Sequence, residues 1–267
     1  MENKIKRNSI LDIQRQKGKR PIVCVAAYTY PTAKIIDEFC DIILVGDSLG
    51  MSIYGMKDTL SVSLSMMINH AKAVIKASKK SLIIVDLPFG SYETSKEKAF
   101  KSASRIIKET GCDAIKIEAS LAMIDTIEFL VQRGIPVMGH IGLLPQHVRK
   151  IGSYKYQGKT KIESSQIVTI AENLEKSGVF ALLVEGVYES SVDKILEIIK
   201  IPLIGIGASR KCDGQILVID DIIGLNQDFK PKFVKSYGDI AGNIALAIKN
   251  YNKEVSDRSF PHKNNII

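Results

Sequence analysis

The fold is decided by the stretch Ile42-Ile43-Leu44-Val45-Gly46-Asp47-Ser48-Leu49-Gly50. Four consecutive apolar residues stop abruptly at Gly-Asp-Ser, and a short apolar run bounded by turn residues is typical of a strand buried on both faces. The apolar run alone does not distinguish such a strand from a buried helix. Repetition of the same pattern along the chain favours the strand.

The pattern recurs five times, and in most cases a carboxylate or an imidazole follows the apolar run. The runs are 82–85 before Asp86, 114–117 before Glu118, 136–139 before His140, 181–184 before Glu185, and 202–204 before Gly205. We predict two more strands, at 22–27 and 233–237, with helices between successive strands. Eight strand–helix alternations predict a single (β/α)8 TIM barrel, preceded by a helix before the first strand.

No break in composition divides the chain, so we predict one barrel domain over residues 1–267. Its flanking parts are a helical segment within residues 1–19 and a flexible polar tail at 258–267. A short helix is expected at 215–219 and a long amphipathic helix at 240–254. Long connections at 48–61 and 149–160 are expected to act as binding loops, because long loops that follow barrel strands often bind ligands.

The composition is that of an ordinary soluble enzyme, with 267 residues, 45% hydrophobic residues and a net charge of +8. Lysine and arginine are spread along the chain, which argues against a nucleic-acid partner. No apolar run approaches the roughly 18 residues of a membrane span, and the first 19 residues lack a secretory apolar core. The four cysteines show no metal or CxxC spacing. We therefore expect a cytoplasmic protein with reduced thiols and no membrane partner.

In a barrel the carboxyl ends of all strands face one mouth, so the polar residues that end the runs should converge. Asp47, Asp86 and Glu118 would then supply the oxygen ligands that Mg²⁺ prefers. Each of them alone could equally be a capping or ion-paired carboxylate, and it is the three equivalent positions that favour a metal site.

Three further side chains are candidates for the chemistry. Lys116 lies two residues before Glu118, on the same face of the strand, where it could neutralise a substrate carboxylate, balance the acids, form a Schiff base or extend to solvent. Glu185 follows three apolar residues that would raise its pKa towards that of a general base, although it could instead be another metal or ion-pair carboxylate. His140 could donate a hydrogen bond to a substrate oxygen or be purely structural.

Seven motifs, taken in order, resemble the ketopantoate hydroxymethyltransferase family. They are Leu-Val-Gly-Asp-Ser-Leu-Gly-Met at 44–51, Asp-Leu-Pro-Phe at 86–89, Ile-Lys-Ile-Glu at 115–118, Gly-His-Ile-Gly-Leu at 139–143 with Pro145-Gln146, Gly-Ser-Tyr-Lys at 152–155 with Gln157-Gly158, Ile-Gly-Ile-Gly-Ala at 204–208, and Asp-Gly-Gln-Ile-Leu-Val at 213–218.

The resemblance implies a barrel of the phosphoenolpyruvate/pyruvate type that assembles as a homodecamer of two pentameric rings. It implies Mg²⁺ held by Asp47 and Asp86, with Glu118 in or just beyond the ligand shell. It also implies that the 2-oxoacid chelates the metal and is held by Ser48 and Lys116. Glu185 would be the catalytic base, and we expect His140 to be a supporting residue of the site.

The implied reaction transfers a hydroxymethyl group from 5,10-methylenetetrahydrofolate to 3-methyl-2-oxobutanoate and gives 2-dehydropantoate, in pantothenate synthesis. Removal of the C3 proton by Glu185 would form an enolate that attacks the one-carbon unit. The alternative functions are a Mg-dependent C–C lyase of the isocitrate-lyase-like group and, in another class, a non-catalytic basic scaffold. Four residues depart from the family pattern beside the site, namely Thr29, Leu144, Ser153 and Ser209.

Overall fold

The computed structural model describes residues 6–152, 155–227 and 231–266, with Ile151 described by its backbone only. The chain forms two compact units, Met1–Val218 and Ile219–Ile267. The first unit holds the barrel, and the second is helical. The expectation of one domain over the whole chain stays a prediction.

Eight parallel strands close the barrel in chain order within the described residues, which confirms the predicted fold class. They are β1 (Ile22–Ala26), β2 (Ile42–Val45), β3 (Leu82–Asp86), β4 (Ala114–Glu118), β5 (Val137–Gly142), β6 (Ala181–Glu185), β7 (Leu203–Ile206) and β8 (Gly214–Val218). Pairing of β1 with β8 closes the sheet, so no strand edge remains open.

The register of the strands sets polar residues side by side at the carboxyl ends. Asp86 on β3 pairs with Lys116 on β4, and Glu118 pairs with His140 on β5. Glu185, at the end of β6, lies opposite Gly142 on β5. Neighbouring strands therefore deliver these side chains to one rim of the barrel.

The last strand is where the sequence prediction was wrong. Residues 215–219 were expected to form a helix and 233–237 to form a strand, whereas β8 covers Gly214–Val218 and 233–237 contain no strand. At Gly214 an added Cβ would lie 2.5 Å from the Ile22 carbonyl oxygen and 2.7 Å from Ile204 Cδ1. The glycine therefore allows β8 to pack tightly beside β1. The apolar run from Ile216 continues directly into the next helix, which hides the strand in the sequence.

Nine α-helices lie in the part of the first unit that the structure describes. They are α1 (Ile10–Gln14), α2 (Tyr30–Ile36), α3 (Leu49–Ser52), α4 (Leu64–Ala77), α5 (Lys96–Thr110), α6 (Ile124–Val131), α7 (Val148–Ile151), α8 (Lys161–Lys176) and α9 (Glu189–Ile198). Side-chain oxygens of Ser63, Ser95 and Thr160 accept backbone N–H groups at the starts of α4, α5 and α8. Such caps satisfy donors that a helix leaves free at its first turn.

The second unit contains α10 (Ile219–Ile222) and α11 (Ile240–Ser256). Asp239 caps α11 by accepting the Gly242 N–H at 3.0 Å. The predicted long helix at 240–254 is thus confirmed and extends two residues further. Flexibility of the tail at 258–267 stays a prediction.

Charged groups fasten the amino ends of the strands. Arg20 pairs with Asp41 at 2.6 Å just before β2, and Lys17 pairs with Asp213 at 2.6 Å just before β8. Asp37 accepts hydrogen bonds from the backbone of Lys79, Lys80 and Ser81 ahead of β3. This end of the barrel is therefore organised by satisfied ion pairs and hydrogen bonds.

All four cysteines (Cys24, Cys40, Cys112 and Cys212) are free and buried. Within the described ranges, the helices are too short or too polar to cross a membrane.

Candidate active site

The predicted site residues meet at the carboxyl rim of the barrel. Asp86, Glu118 and Glu185 end β3, β4 and β6, while Asp47 follows β2 by two residues. Asp47, Asp86, Lys116, Glu118 and His140 are buried. Glu185 keeps 19% of its side-chain surface accessible, so it can contact a bound substrate.

Lys116 lies at the centre of the cluster and does not extend to solvent. Its Nζ is 3.2 Å from Asp86 Oδ2 and 3.3 Å from His140 Nδ1. Asp86 Oδ2 also accepts the backbone N–H of Asp47 at 3.0 Å. Lys116 therefore carries positive charge into the barrel, where a substrate carboxylate could use it.

His140 lies between Lys116 and Glu185. Because an ammonium group only donates, Nδ1 of His140 must accept from Lys116, and the ring proton then belongs on Nε2. Nε2 lies 3.3 Å from Glu185 Oε2. Burial and the neighbouring Lys116 charge lower the pKa of His140 well below its usual value, so the ring is neutral at physiological pH.

Glu185 has the environment of a general base. Burial raises its pKa to about 7, against the opposing effect of Lys116. A base whose pKa lies near the working pH combines a useful deprotonated fraction with a strong affinity for protons.

The other carboxyl groups are also harder to ionise than usual. Burial raises the pKa of Asp86 to about 6, with Lys116 opposing and Asp47 adding to the rise. Burial likewise raises the pKa of Asp47, and burial together with the Asp47 charge raises that of Glu118. When all are ionised, four carboxylates face one ammonium group, an excess of negative charge that a cation would relieve.

A divalent cation fits this part of the rim. Asp86 Oδ1 is buried and has no hydrogen-bond partner, as expected for an oxygen that awaits a ligand. In the described ranges, no three His, Cys, Asp or Glu side chains are grouped to hold a metal by themselves. Magnesium, however, commonly takes one or two carboxylates and completes its shell with water and substrate oxygens. The ligand assignment of Asp47, Asp86 and Glu118 therefore stays a prediction.

Ser48 lies beside these acids at the turn into α3. Its Oγ is 2.6 Å from the Tyr28 hydroxyl, and the Tyr28 carbonyl contacts His70 Nδ1 at 2.7 Å. A Cβ on Gly46 would lie 3.1 Å from Ser48 Oγ and 3.4 Å from Asp86 Oδ2. The small residue thus lets the turn approach the acidic cluster.

Sequence reasoning missed Gln146. Its side-chain amide donates to Asp47 Oδ2 at 2.7 Å and to the Leu87 carbonyl at 3.0 Å. Its backbone N–H lies 3.0 Å and 3.2 Å from the two oxygens of Glu118, and its Oε1 accepts the Tyr92 hydroxyl at 2.6 Å. The only signal in the sequence was the pair Pro145-Gln146 within a family motif, because a loop amide has no chemical signature of its own.

The two predicted binding loops approach each other near the rim. Arg149 Nη2 lies 3.0 Å from Asp58 Oδ2. Gln157 donates its N–H to the Gly186 carbonyl at 2.8 Å and accepts from the Tyr188 N–H at 3.0 Å. The second loop is therefore tied to the residues that directly follow Glu185.

The four departures from the family pattern have varied settings. Thr29 Oγ1 caps α2, and Leu144 precedes the short 3-10 turn at Pro145–His147. Ser209 donates to Glu189 at 3.0 Å. Ser153 lies outside the described residues.

Solved structures of similar fold define the class of barrel. A phosphonopyruvate hydrolase matches with a TM-score of 0.64 at 13% identity, covering 97% of this chain and 90% of that one. A phosphonopyruvate hydrolase in complex with oxalate and Mg++ gives a TM-score of 0.59 at 14% identity, over 97% of this chain and 93% of that one. A 2,3-dimethylmalate lyase of the PEP mutase/isocitrate lyase superfamily gives 0.59 at 13% identity, over 95% and 86%. These structures share the closed TIM barrel of this chain, the fold that the sequence predicts.

Sequence relatives narrow the class to one family. The family described as ketopantoate hydroxymethyltransferase matches residues 7–263. A 3-methyl-2-oxobutanoate hydroxymethyltransferase of Rhizobium etli is 51% identical over 93% of this chain and 91% of the relative. One of Rhizobium rhizogenes is 49% identical over 96% and 94%. The chain belongs to the ketopantoate hydroxymethyltransferase family, which confirms the resemblance and the prediction of a hydroxymethyl-transferring enzyme.

Proposed function

We propose that the protein transfers a hydroxymethyl group from 5,10-methylenetetrahydrofolate to 3-methyl-2-oxobutanoate, giving 2-dehydropantoate for pantothenate and coenzyme A synthesis. The observation that carries the proposal is the convergence of Asp47, Asp86, Lys116 and Glu185 at one rim of the barrel. These groups supply a cation site, a positive charge for an acid substrate, and a base.

The 2-oxoacid is held by Lys116 and Ser48. The buried ammonium group of Lys116 attracts the substrate carboxylate, since charge-assisted contacts gain strength away from water. The Ser48 hydroxyl, oriented by Tyr28, offers a second polar contact. Asp47 and Asp86 lie within the same cluster, where they would hold the cation beside the substrate.

The cation we propose is Mg²⁺, held by Asp47 and Asp86 with Glu118 close by. Support comes from the excess of carboxylates and from the unpartnered oxygen of Asp86. When bound, the ion supplies Lewis-acid polarisation of the 2-oxo group, which acidifies C3 of the substrate. The phosphonopyruvate hydrolase solved with oxalate and Mg++ offers a parallel in a barrel of the same type.

Glu185 takes the proton from C3 of the substrate. Its raised pKa suits proton abstraction near neutral pH, and its partial accessibility lets it contact the substrate. Neutral His140 has its Nε2 at 3.3 Å from the same carboxyl group, without the geometry of a hydrogen bond. The enolate so formed bonds to the one-carbon unit of the folate. One water molecule supplies the hydroxyl oxygen, both carbon–nitrogen bonds of that unit break, and tetrahydrofolate leaves with the protons on its two nitrogens. The folate would lie over the rim, beside the loops at 48–61 and 149–160.

The C–C lyase function has weaker support, since the lyase shares the fold at only 13% identity. A non-catalytic scaffold would have no use for four carboxyl groups with raised pKa values.

We also propose a homodecamer that acts in the cytoplasm. The decamer follows from the family resemblance, and exposed apolar residues on α11, among them Ile244, Ile248 and Tyr251, suit an assembly contact. The cytoplasmic setting is supported by the four unpaired cysteines.

Proton exchange at C3 tests the proposed function. Protein with Mg²⁺ and 3-methyl-2-oxobutanoate in D2O should replace the C3 proton, as followed by NMR, without any folate. We expect Glu185→Gln to lower this rate at least 10³-fold, in line with the largest effects of removing a general base, while the 2-oxoacid still binds. Glu197→Gln, an exposed change on α9, is the matched control and should behave as the wild type. Absence of exchange in the wild type would overturn the function, and full exchange in Glu185→Gln would remove the base.

A further inference from the structure

Gln146 makes three side-chain hydrogen bonds beside the acidic cluster, and it is not among the predicted site residues. It is buried, with 4% of its surface exposed. Both hydrogens of its amide are used, one on Asp47 Oδ2 and one on the Leu87 carbonyl. Its backbone N–H serves the carboxylate of Glu118. One residue therefore contacts two of the three predicted metal ligands.

The orientation of this amide is fixed by chemistry. The Leu87 carbonyl oxygen can only accept hydrogen bonds, and the same holds for Asp47 Oδ2 when that carboxyl group is ionised. The nitrogen of the Gln146 amide must therefore face both oxygens. The oxygen of the amide then faces the Tyr92 hydroxyl, which can donate and lies 2.6 Å away. Tyr92 is itself buried, with 1% exposure. A flipped amide would set Oε1 against two acceptors and leave the Tyr92 proton facing an NH2 group.

We propose that Gln146 is a positioning residue for the reaction, with Tyr92 holding its amide in the working orientation. The Gln146 amide donates to Oδ2 of Asp47 and thereby fixes the rotation of that carboxyl group. The other oxygen, Oδ1, then remains for a cation and substrate. Through its backbone N–H it also holds Glu118 at the rim. The inference rests on the proposed function, because Asp47 is taken to bind the cation that polarises the 2-oxoacid.

The test separates positioning from simple structural support. Gln146→Met keeps the length of the side chain and the backbone N–H to Glu118 but removes both amide donors. We expect it to slow C3 exchange of 3-methyl-2-oxobutanoate at least tenfold and to weaken binding of Mn²⁺, followed by electron paramagnetic resonance, at least fivefold. Tyr92→Phe keeps the amide but releases its orientation, so it should lower both quantities in the same direction and by less.

The double variant gives the decisive readout. If Tyr92 acts only through Gln146, the Tyr92→Phe/Gln146→Met protein should be no slower in exchange than Gln146→Met alone, because the two changes act on one contact chain. Thr110→Val serves as the matched control. This change removes buried hydrogen bonds at the carboxyl end of α5. It should leave the Mn²⁺ affinity and the rate of C3 exchange unchanged.

Two outcomes would overturn the proposal. One is wild-type Mn²⁺ affinity and exchange in folded Gln146→Met. The other is a double variant whose loss equals the product of the two single losses, which would make Tyr92 independent. Should Gln146→Met fail to fold, Tyr92→Phe alone decides, since unchanged affinity and exchange in it would remove the orientation claim. Absence of C3 proton exchange in the wild type would instead contradict the proposed function.

Discussion

Glu185 has a protonation equilibrium set by its surroundings. Burial opposes its ionised form, and the Lys116 charge only partly compensates, so its pKa is raised to about 7. The neutral His140 ring beside it adds no charge. The Lys116 charge favours ionisation of Glu185, and Glu185 in turn raises the pKa of Asp47 and of Glu118.

The rate of C3 exchange should therefore depend on pH in a defined direction. A base must be deprotonated, so below pH 7 the rate of the Mg²⁺-loaded enzyme should fall about tenfold per pH unit, and above pH 8 it should level off. The measurement is the exchange rate under kcat/KM conditions between pH 5 and 9. A profile that stays flat through pH 6 would show that Glu185 keeps an ordinary carboxyl pKa.

The residue scale also marks the limit of sequence reasoning. Asp86, Glu118 and Glu185 were predictable because each ends a buried strand, and strand ends in a barrel converge. Gln146 was not, because its contacts come from a turn after β5 whose path follows from packing rather than from periodicity. The sequence did not determine the partners of Lys116 either, because only the register of β3 against β4 makes Asp86 its neighbour.

Among the elements, β8 carries a steric constraint at Gly214. Gly214 meets a backbone carbonyl, which cannot rotate away as a side chain can. Its need for glycine comes from close packing, in contrast to Gly18, which has φ +71° and nothing within 4 Å of an added Cβ. The two positions separate two reasons for a glycine.

We predict that Gly214→Ala lowers the free energy of unfolding by about 3 kcal/mol or more, because overpacking against fixed atoms costs at the upper end of the usual range. Gly18→Ala should cost only about 1 kcal/mol, for the left-handed backbone conformation alone. Urea titrations of both variants provide the comparison. Equal losses at the two positions would mean that β8 moves away from β1 at little cost.

The same element explains why one strand was misplaced. The other seven were predictable from apolar runs that end at turn residues. In β8 the glycine opens the strand and an apolar run passes straight into α10, so neither boundary is marked. Residues 233–237 include Phe233, Val234 and Tyr237 but form no strand. The barrel is closed without them, since β1 already pairs with β2 and β8.

For the molecule as a whole, the acidic cluster has a cost in stability. Asp86 has an ordinary pKa of 3.8 in an unfolded chain and about 6 in the fold. Its ionised form is therefore less favourable in the folded state, and the penalty grows as pH rises from about 4 and is complete above about 6.

We predict that Asp86→Asn raises the melting temperature of the metal-free protein at pH 8 by about 2–4 °C. A shift of this size corresponds to a gain of about 1 kcal/mol in the free energy of unfolding for a domain of this size. The gain should vanish at pH 4, where wild-type Asp86 is protonated. Excess Mg²⁺ should raise the melting temperature of the wild type and not that of the variant, because a ligand stabilises only the state that binds it. Calorimetry with and without EDTA provides the test, and a lower melting temperature of metal-free Asp86→Asn at pH 8 would contradict it.

The separation of the two barrel ends has a practical consequence for laboratory evolution. Arg20–Asp41 and Lys17–Asp213 lock the base of the barrel, far along each strand from the reacting groups. Stabilising substitutions could first be introduced at that base to raise the melting temperature. Substitutions in the loops at the opposite end could then be selected for activity on bulkier keto acids. Libraries confined to one end should rarely disturb the other.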